Sequence, residues 1–269
     1  MMNALRFIAL PVLTAGLFSG CATVPYTGRT QLALMPDREV REMSRSSYRE
    51  VLDSSKVLTS TPEAEMVERV GRRIAVAAEE FLRDEGMAAR AGDFEWEFTL
   101  IDDDDTVNAW AMPGGKIAFY TGILPLTRDE DGLAVVMGHE VAHALANHGR
   151  ERLSQLLLFQ LGYTGLDLAL RKEPDTTRDL WLMAFGLGAQ VGLLLPYSRT
   201  QEYEADRIGL ILTARAGYDP RAAVPFWERM MEMGDLGFLE FISTHPSSRK
   251  RIREIREMMP EALQHYQPR

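Results

Sequence analysis

Residues 139–143 read His-Glu-Val-Ala-His, inside a stretch whose other side chains are almost all apolar: Leu133, Ala134, Val135, Val136, Val141, Ala142, Ala144 and Leu145. A helix that is greasy on every side belongs in the interior of a protein. Burying two histidines and a glutamate there without partners costs several kcal/mol. The rest of the chain must therefore fold so as to satisfy these three side chains, or supply an ion that does. Two histidines four residues apart leave one helical face about one turn apart, as adjacent corners of a tetrahedral zinc site require. Glu140, beside the first histidine, points toward the water that such an ion activates and can take its proton. The competing reading is a pair of satisfied core histidines, and the apolar surroundings offer them no partners.

A catalytic zinc takes three protein ligands and keeps one position open. His148 lies five residues past His143, about 140° further round the helix, so it faces elsewhere and reads as a surface or second-layer histidine near the helix end. The better third ligand lies 59 residues after His143, in Ser198-Arg-Thr-Gln-Glu-Tyr-Glu-Ala-Asp206. Glu202 and Asp206 stand at i and i+4, on one helical face. Glu202 suits the metal, and Asp206 can accept the far N–H of a ligating histidine, fixing its tautomer. Glu204 points about 200° away from Glu202 and is expected to be a solvated charge. On its own, Glu-x-x-x-Asp is an ordinary charged helix face; it gains force from the site, one ligand short, that precedes it.

Together, His-Glu-x-x-His and Ser-Arg-x-x-Glu-x-x-Ala-Asp resemble the HtpX-like and CAAX-prenyl-protease-like zinc metallopeptidases, a gluzincin family. Asn108-Ala-Trp-Ala-Met-Pro-Gly-Gly is similar to the strand and turn before their active-site helix, Glu130-Asp-Gly-Leu-Ala134 to its start, and Ser243-Thr-His-Pro246 to their C-terminal signature. The resemblance covers roughly residues 60–258. It implies an α+β, zincin-like fold with one Zn2+ per chain held by His139, His143 and Glu202. Glu140 is then the general base for peptide-bond hydrolysis, and Asp206 supports a ligating histidine. The chain most resembles the short periplasmic lipoprotein branch of the family, which implies unfolded or misassembled envelope proteins as substrates, in protein quality control. Asn108–Met112 could pair with an extended peptide as an edge strand. Tyr197, Tyr203 and His245 are candidates for stabilising the oxyanion. Proline after His245 biases that histidine toward extended backbone, and a neutral imidazole is a good zinc ligand. A sharper expectation follows: His245 approaches the metal, fills its open position and keeps the site latent. Two rivals stand beside the protease reading: a chaperone-like binding factor with a latent zinc site, and a zinc hydrolase acting on another bond.

The first residues suggest a location. Arg6, an apolar run from Phe7 to Phe18 and the small residues Ser19-Gly20 have the layout of a secretory signal. Cys21 is the chain's one cysteine, so it has no internal disulfide partner. Leu17-Phe-Ser-Gly-Cys21 resembles a bacterial lipobox, which implies lipidation of Cys21 and, with Ala22 following, a lipid-anchored protein on the periplasmic face of a bacterial outer membrane. The net charge of −9 leaves no electrostatic footprint for nucleic acid.

For the remaining organisation, residues 1–20 read as the signal, 21–60 as an irregular tether with a short charged helix from Asp37, 61–260 as the peptidase domain and 261–269 as a tail. Thr61-Pro62 opens a long helix. Phe94, Trp96, Phe98 and Leu100 alternate as in a strand, and two short strands flank Pro113-Gly114-Gly115. Thr127 with Glu130, and Ser198 with Gln201, fit capping boxes. The uncharged run 180–198 reads as a core or membrane-leaning helical hairpin with residues 153–170, rather than as a membrane span, because glycines, Gln190 and Pro196 dilute it. Asp219-Pro220 starts another helix, and an amphipathic one ends the fold at 248–258.

Overall fold

The computed structural model describes residues 20–189, 195–234, 245 and 248–269. The chain opens with a two-stranded antiparallel hairpin, β1 (Cys21–Thr23) and β2 (Thr30–Leu32). Helix α1 (Asp37–Asp53), the two-residue strand β3 (Val57–Leu58) and the long helix α2 (Pro62–Asp84) follow. Strands β4 (Glu97–Ile101), β5 (Ala109–Met112) and β6 (Lys116–Tyr120) precede a short turn of helix, α3 (Leu124–Thr127). The rest is helical: α4 (Glu130–Leu145), α5 (His148–Ala169), α6 (Asp175–Ala189), α7 (Leu195–Arg215), α8 (Ala223–Gly234) and α9 (Arg249–Leu263). The α+β class read from the sequence is the observed one.

The four-stranded sheet has the order β3-β4-β6-β5, with β4 and β6 parallel and the other neighbours antiparallel. The Pro113-Gly114-Gly115 turn joins β5 to β6. Both glycines take positive φ, +87° and +85°, which a side chain would oppose. β5 lies at one edge of the sheet. Helix α2 starts as its sequence directs, with Thr61 Oγ1 accepting from the Ala64 amide and proline in the first turn. Its Val67, Val70, Ile74, Ala78 and Phe81 are buried in the core with Phe98, Leu100, Ile117 and Phe119 of the sheet, at about 1.5–3 kcal/mol for each large apolar side chain. Every residue of α4 from Gly132 to Leu145 is buried, as its unbroken apolar surface requires.

Four local expectations are corrected. Residues 22–36 contain the β1–β2 hairpin rather than an irregular tether. The cap of α4 is Asp129, whose Oδ1 accepts from the Gly132 amide, while the Thr127 hydroxyl turns back to the Leu124 carbonyl. The helix carrying Glu202 begins before Ser198, because the Gln201 side chain serves a buried glutamate, Glu151, instead of a cap. The last helix runs to Leu263, past Pro260.

Helices α5 and α6 pair through stacked Phe159 and Phe185, 5.6 Å apart. The Arg178 Nε donates to Asp167 Oδ1 at 2.7 Å, pairing a charge on the α5 shaft. Leu157, Leu161 and Leu168 of α5, and Leu180, Trp181 and Leu187 of α6, are exposed. Among the described residues no helix is long and apolar enough to cross a membrane, though the run 180–198 lies partly outside them.

Candidate metal centre

Two glycines set the distance on which the site depends. Helices α4 and α7 cross at Gly138 and Gly209: a Cβ on Gly138 would stand 2.7 Å from the Gly209 carbonyl oxygen, and one on Gly209 would stand 2.8 Å from the His139 amide nitrogen. Each glycine costs about 1 kcal/mol of helix propensity relative to alanine. In return the two backbones touch, and the Thr213 hydroxyl sits in the crossing, 2.8 Å from the Gly209 carbonyl of its own helix and 3.1 Å from the Ala134 carbonyl of α4. Glu202 lies seven residues before Gly209 on α7, two turns away and so on the same face. Its carboxylate therefore reaches the histidines of α4.

The ligand-type atoms form a cage. His143 Nε2 is 3.1 Å from His139 Nε2, His139 Nε2 is 3.3 Å from Glu202 Oε2, and His143 Nε2 is 3.4 Å from Glu202 Oε1. Tetrahedral ligands about 2.0–2.1 Å from a zinc ion stand roughly 3.3–3.4 Å from one another, and each of these contacts, two of which end on different oxygens of the Glu202 carboxylate, is close to that length. His245 joins them, with Nδ1 3.1 Å from both His139 Nε2 and Glu202 Oε2. His139, His143, Glu202 and His245 are all buried and form a group able to hold a metal ion. The Oε1 atoms of Glu202 and Glu140 are buried and accept no hydrogen bond, although His143 Nε2 and His245 Nε2 stand 3.4 Å from them. A buried carboxylate oxygen without a hydrogen bond is costly; a cation in the cage meets that need at Glu202, so the donor set fits zinc. Beside it, a cavity of about 130 Å³ is lined by β5, Glu140, His143, His148, Arg152 and His245.

Around the cage stands a second layer. Asp206 Oδ1 lies 3.1 Å from His139 Nδ1, leaving that ring's Nε2 turned to the cage. Arg251, from α9, grips Asp206 with Nε and Nη2 at 2.7 and 2.8 Å and reaches Glu202 Oε2 with Nη1 at 3.0 Å. Its guanidinium lies over the Trp227 ring, 3.5 Å from the centroid. Burial raises the carboxyl pKa of Glu202 and Asp206, but the surrounding cations and hydrogen bonds outweigh it, and both are held below their ordinary range. Glu140 goes the other way: burial dominates and its carboxyl is raised. Burial also lowers His143 and His148, favouring neutral imidazoles.

The residues singled out from sequence end in different places. His139, Glu140, His143, Glu202, Asp206 and His245 are brought together, with His245 Nε2 3.4 Å from Glu140 Oε1. His148 stands in the second layer, its Nδ1 2.8 Å from His143 Nδ1. Glu204 corrects its expectation: it is buried, not solvated, because it faces a cluster formed by His148, Arg29 and Thr27. Tyr203 is exposed, and the side chain of Tyr197 lies outside the described residues. Cys21 is exposed at the head of β1. Sequence reasoning missed Arg251, Arg29 and Glu151. For Arg251 a signal existed: it shares the spacing of buried Ile255, Met258 and Ala262, so a cation stands in an apolar stripe.

The model of peptidase family M48 matches residues 64–259. The chain belongs to peptidase family M48. It is 40% identical over 232 residues to the mitochondrial metalloendopeptidase OMA1 of Schizosaccharomyces pombe, covering 82% of this chain and 61% of that protein. It is 31% identical over 258 residues to the mitochondrial OMA1 of Danio rerio, covering 89% of this chain and 50% of that one. The beta-barrel assembly-enhancing protease of Escherichia coli matches at 27% over 186 residues, 63% of this chain and 36% of that protein. The chain thus spans about half to three-fifths of the length of the first relatives. These matches place it in the M48 family more broadly than the periplasmic branch it was expected to resemble. They also overturn the expected location on a bacterial outer membrane: the relatives of Schizosaccharomyces pombe and Danio rerio, alike over more than four-fifths of the chain, are mitochondrial proteins. That expectation rested on an apolar run and a single cysteine, a pattern far shorter than the aligned domain. Residues 1–19, which carry the run, lie outside the described residues.

Proposed function

We propose that this chain is a zinc-dependent metalloendopeptidase, with His139, His143 and Glu202 holding the ion and Glu140 as the general base. The observation that carries the reading is the cage itself, two imidazole nitrogens and a carboxylate at the edge lengths of a tetrahedral site, with the unmatched Glu140 Oε1 beside it. When bound, zinc supplies Lewis acidity that acidifies water and polarises a peptide carbonyl. Glu140 Oε1 takes the proton and later delivers it to the leaving amine; its burial-raised pKa suits a group that must hold and then release a proton. Asp206 and Arg251 orient His139 and Glu202. β5, at the sheet edge and lining the cavity, offers backbone groups to an extended polypeptide, which favours unfolded or misfolded protein as the substrate class and a role in protein quality control. Purified full-length chain should hold one zinc and cleave casein. Glu140→Gln should keep the zinc and the fold while losing cleavage, and casein hydrolysis by that variant would refute the assignment.

A second reading, latency, is favoured by His245, which offers a fourth donor to the cage. With its imidazole in the open position, cleavage waits until substrate or a partner draws the histidine away. His245→Ala should then keep zinc and raise cleavage of unfolded protein; lower cleavage with zinc retained would assign His245 to substrate or oxyanion contact instead.

A further inference from the structure

The N-terminal arm from Gly20 to Pro36 lies outside the stretch matched by the family, yet its one arginine reaches the second layer of the metal centre. Arg29 meets Glu151 head-on, Nη1 to Oε1 at 2.7 Å and Nη2 to Oε2 at 2.8 Å. The same guanidinium donates from Nε to Glu204 Oε2 at 2.9 Å. Thr27 of the arm donates its hydroxyl to Glu204 Oε1 at 2.6 Å, and Gln201 donates to Glu151 Oε2 at 2.7 Å. Two buried carboxylates from two helices are thus matched by one cation that belongs to neither helix.

The consequence runs through His148. Its Nε2 is 3.2 Å from Glu204 Oε2, and an ionised carboxylate only accepts. The proton of His148 therefore sits on Nε2, and its Nδ1 presents a lone pair. That lone pair faces His143 Nδ1 at 2.8 Å, so His143 must donate from Nδ1. A neutral imidazole with its proton on Nδ1 has its lone pair on Nε2, the atom that faces His139 and Glu202 in the cage. Each hydrogen bond fixes the direction of the next. At the far end of the row stands the cation that keeps Glu204 an acceptor.

We propose that Arg29 is a positioning residue for His143: through Glu204 and His148 it sets the tautomer that turns the His143 Nε2 lone pair toward the metal, which makes the N-terminal arm part of the metal centre. Without Arg29 the two carboxylates lose the cation they share, Glu204 loses its place, and His148 can carry its proton on Nδ1. His143 then keeps its own proton on Nε2, and the cage presents a donor where it needs a lone pair. The inference rests on the assignment of His143 as a metal ligand, and its test separates the two.

Zinc affinity of the full-length chain is measured by competition with a chelator, and thermal unfolding of the chelator-treated chain is followed in parallel. Arg29→Met and His148→Phe should each weaken zinc binding by about 10–100-fold, the effect usual for the groups that orient a ligand. The double variant should bind zinc no more weakly than His148→Phe alone, because Arg29 acts only through that ring. Arg29→Lys should recover part of the affinity, as an ammonium restores charge without the fork that serves both carboxylates. If Arg29→Met does not fold, Glu204→Gln reads the same link: its NH2 group can turn to His148 and reverse the row, with the same loss expected. A merely structural arm would lower the melting temperature of these variants and leave the zinc affinity of the folded protein unchanged, which would overturn the proposal. Losses that multiply in the double variant would also overturn it. A wild-type chain without zinc, or His143→Ala that binds it normally, would instead remove the metal assignment beneath.

Discussion

Arg251→Met tests whether the second layer is a stabilising part of the fold. Arg251 is 5% exposed and, among the described residues, makes three charge-assisted contacts to carboxylates, two to Asp206 and one to Glu202. Methionine fills a similar apolar volume, so the cavity contribution is small and the charge contribution dominates. Removing one partner of a buried ion pair costs about 3–5 kcal/mol, because it leaves a buried charge uncompensated; here two carboxylates lose the same partner. At roughly 2–4 °C per kcal/mol for a domain of this size, the chelator-treated chain should melt about 6–20 °C lower. Saturating zinc should reduce that difference, since the ion supplies Glu202 with another cation. The variant should therefore gain more from added zinc than the wild type does. Differential scanning calorimetry with and without zinc reads both effects. As a control, Arg256→Met breaks a pair to Glu228 whose partners are 59% and 44% exposed, and it should cost no more than about 1 kcal/mol. A chelator-treated Arg251→Met chain within about 1 kcal/mol of wild type would refute the account of the second layer.

Further outcomes follow from the same packing. Trp227, buried against His139 and beneath Arg251, should cost about 3–5 kcal/mol as Trp227→Ala in urea unfolding; a cost under about 1 kcal/mol would mean that the ring is not part of the packed core. Gly209→Ala drives a methyl group into the α4 backbone, so zinc affinity should fall while circular dichroism keeps the helix content, and unchanged affinity would refute the crossing argument. In the chelator-treated chain, burial raises the Glu204 carboxyl, but bonds from His148, Arg29 and Thr27 bring it from 4.5 down to about 2. Between those values the unfolded chain binds the extra proton, so this group's stabilisation is complete above about pH 4.5 and is lost as pH falls toward about 2. Glu204→Gln should lose stability less steeply over that window, and an equal slope in urea titrations would count against the group's role.

How much could be read from sequence depended on where each group's partners lay. The pairing of His139 with His143 was legible because four residues of helix fix their relation, and the apolar flanks showed that they would be buried. Glu202 was legible at a distance of 59 residues only because the first half of the site demanded a carboxylate and Asp206 stood one turn beyond it. The helical wheel also gave the direction of Glu204 correctly, on the side opposite Glu202. It could not say what lies there. The solvated reading assumed that a helix has one buried face, whereas Gln201, Glu202, Glu204 and Asp206 of α7 are all buried, because α7 has the core on one side and the N-terminal arm on the other.

The arm was the hardest segment to read, for a physical reason. With Pro25, Gly28 and Pro36 and two strands of three residues each, it carries almost no periodic signal. Its place is set by single interactions of high energy: Arg29 with two carboxylates, Gln31 donating to the Ala146 carbonyl at 2.7 Å, and the Leu34 amide donating to Ser154 Oγ at 3.0 Å. Gln31 secures the C-terminal end of α4, where a helix leaves carbonyls needing partners, and Ser154 ties the arm to the flank of α5. Glu151 on α5 and Glu204 on α7 are both buried, and the cation that meets them belongs to neither helix. Buried carboxylates need a partner, and that need pointed beyond the helical domain. The partner stood in the stretch that looked least structured.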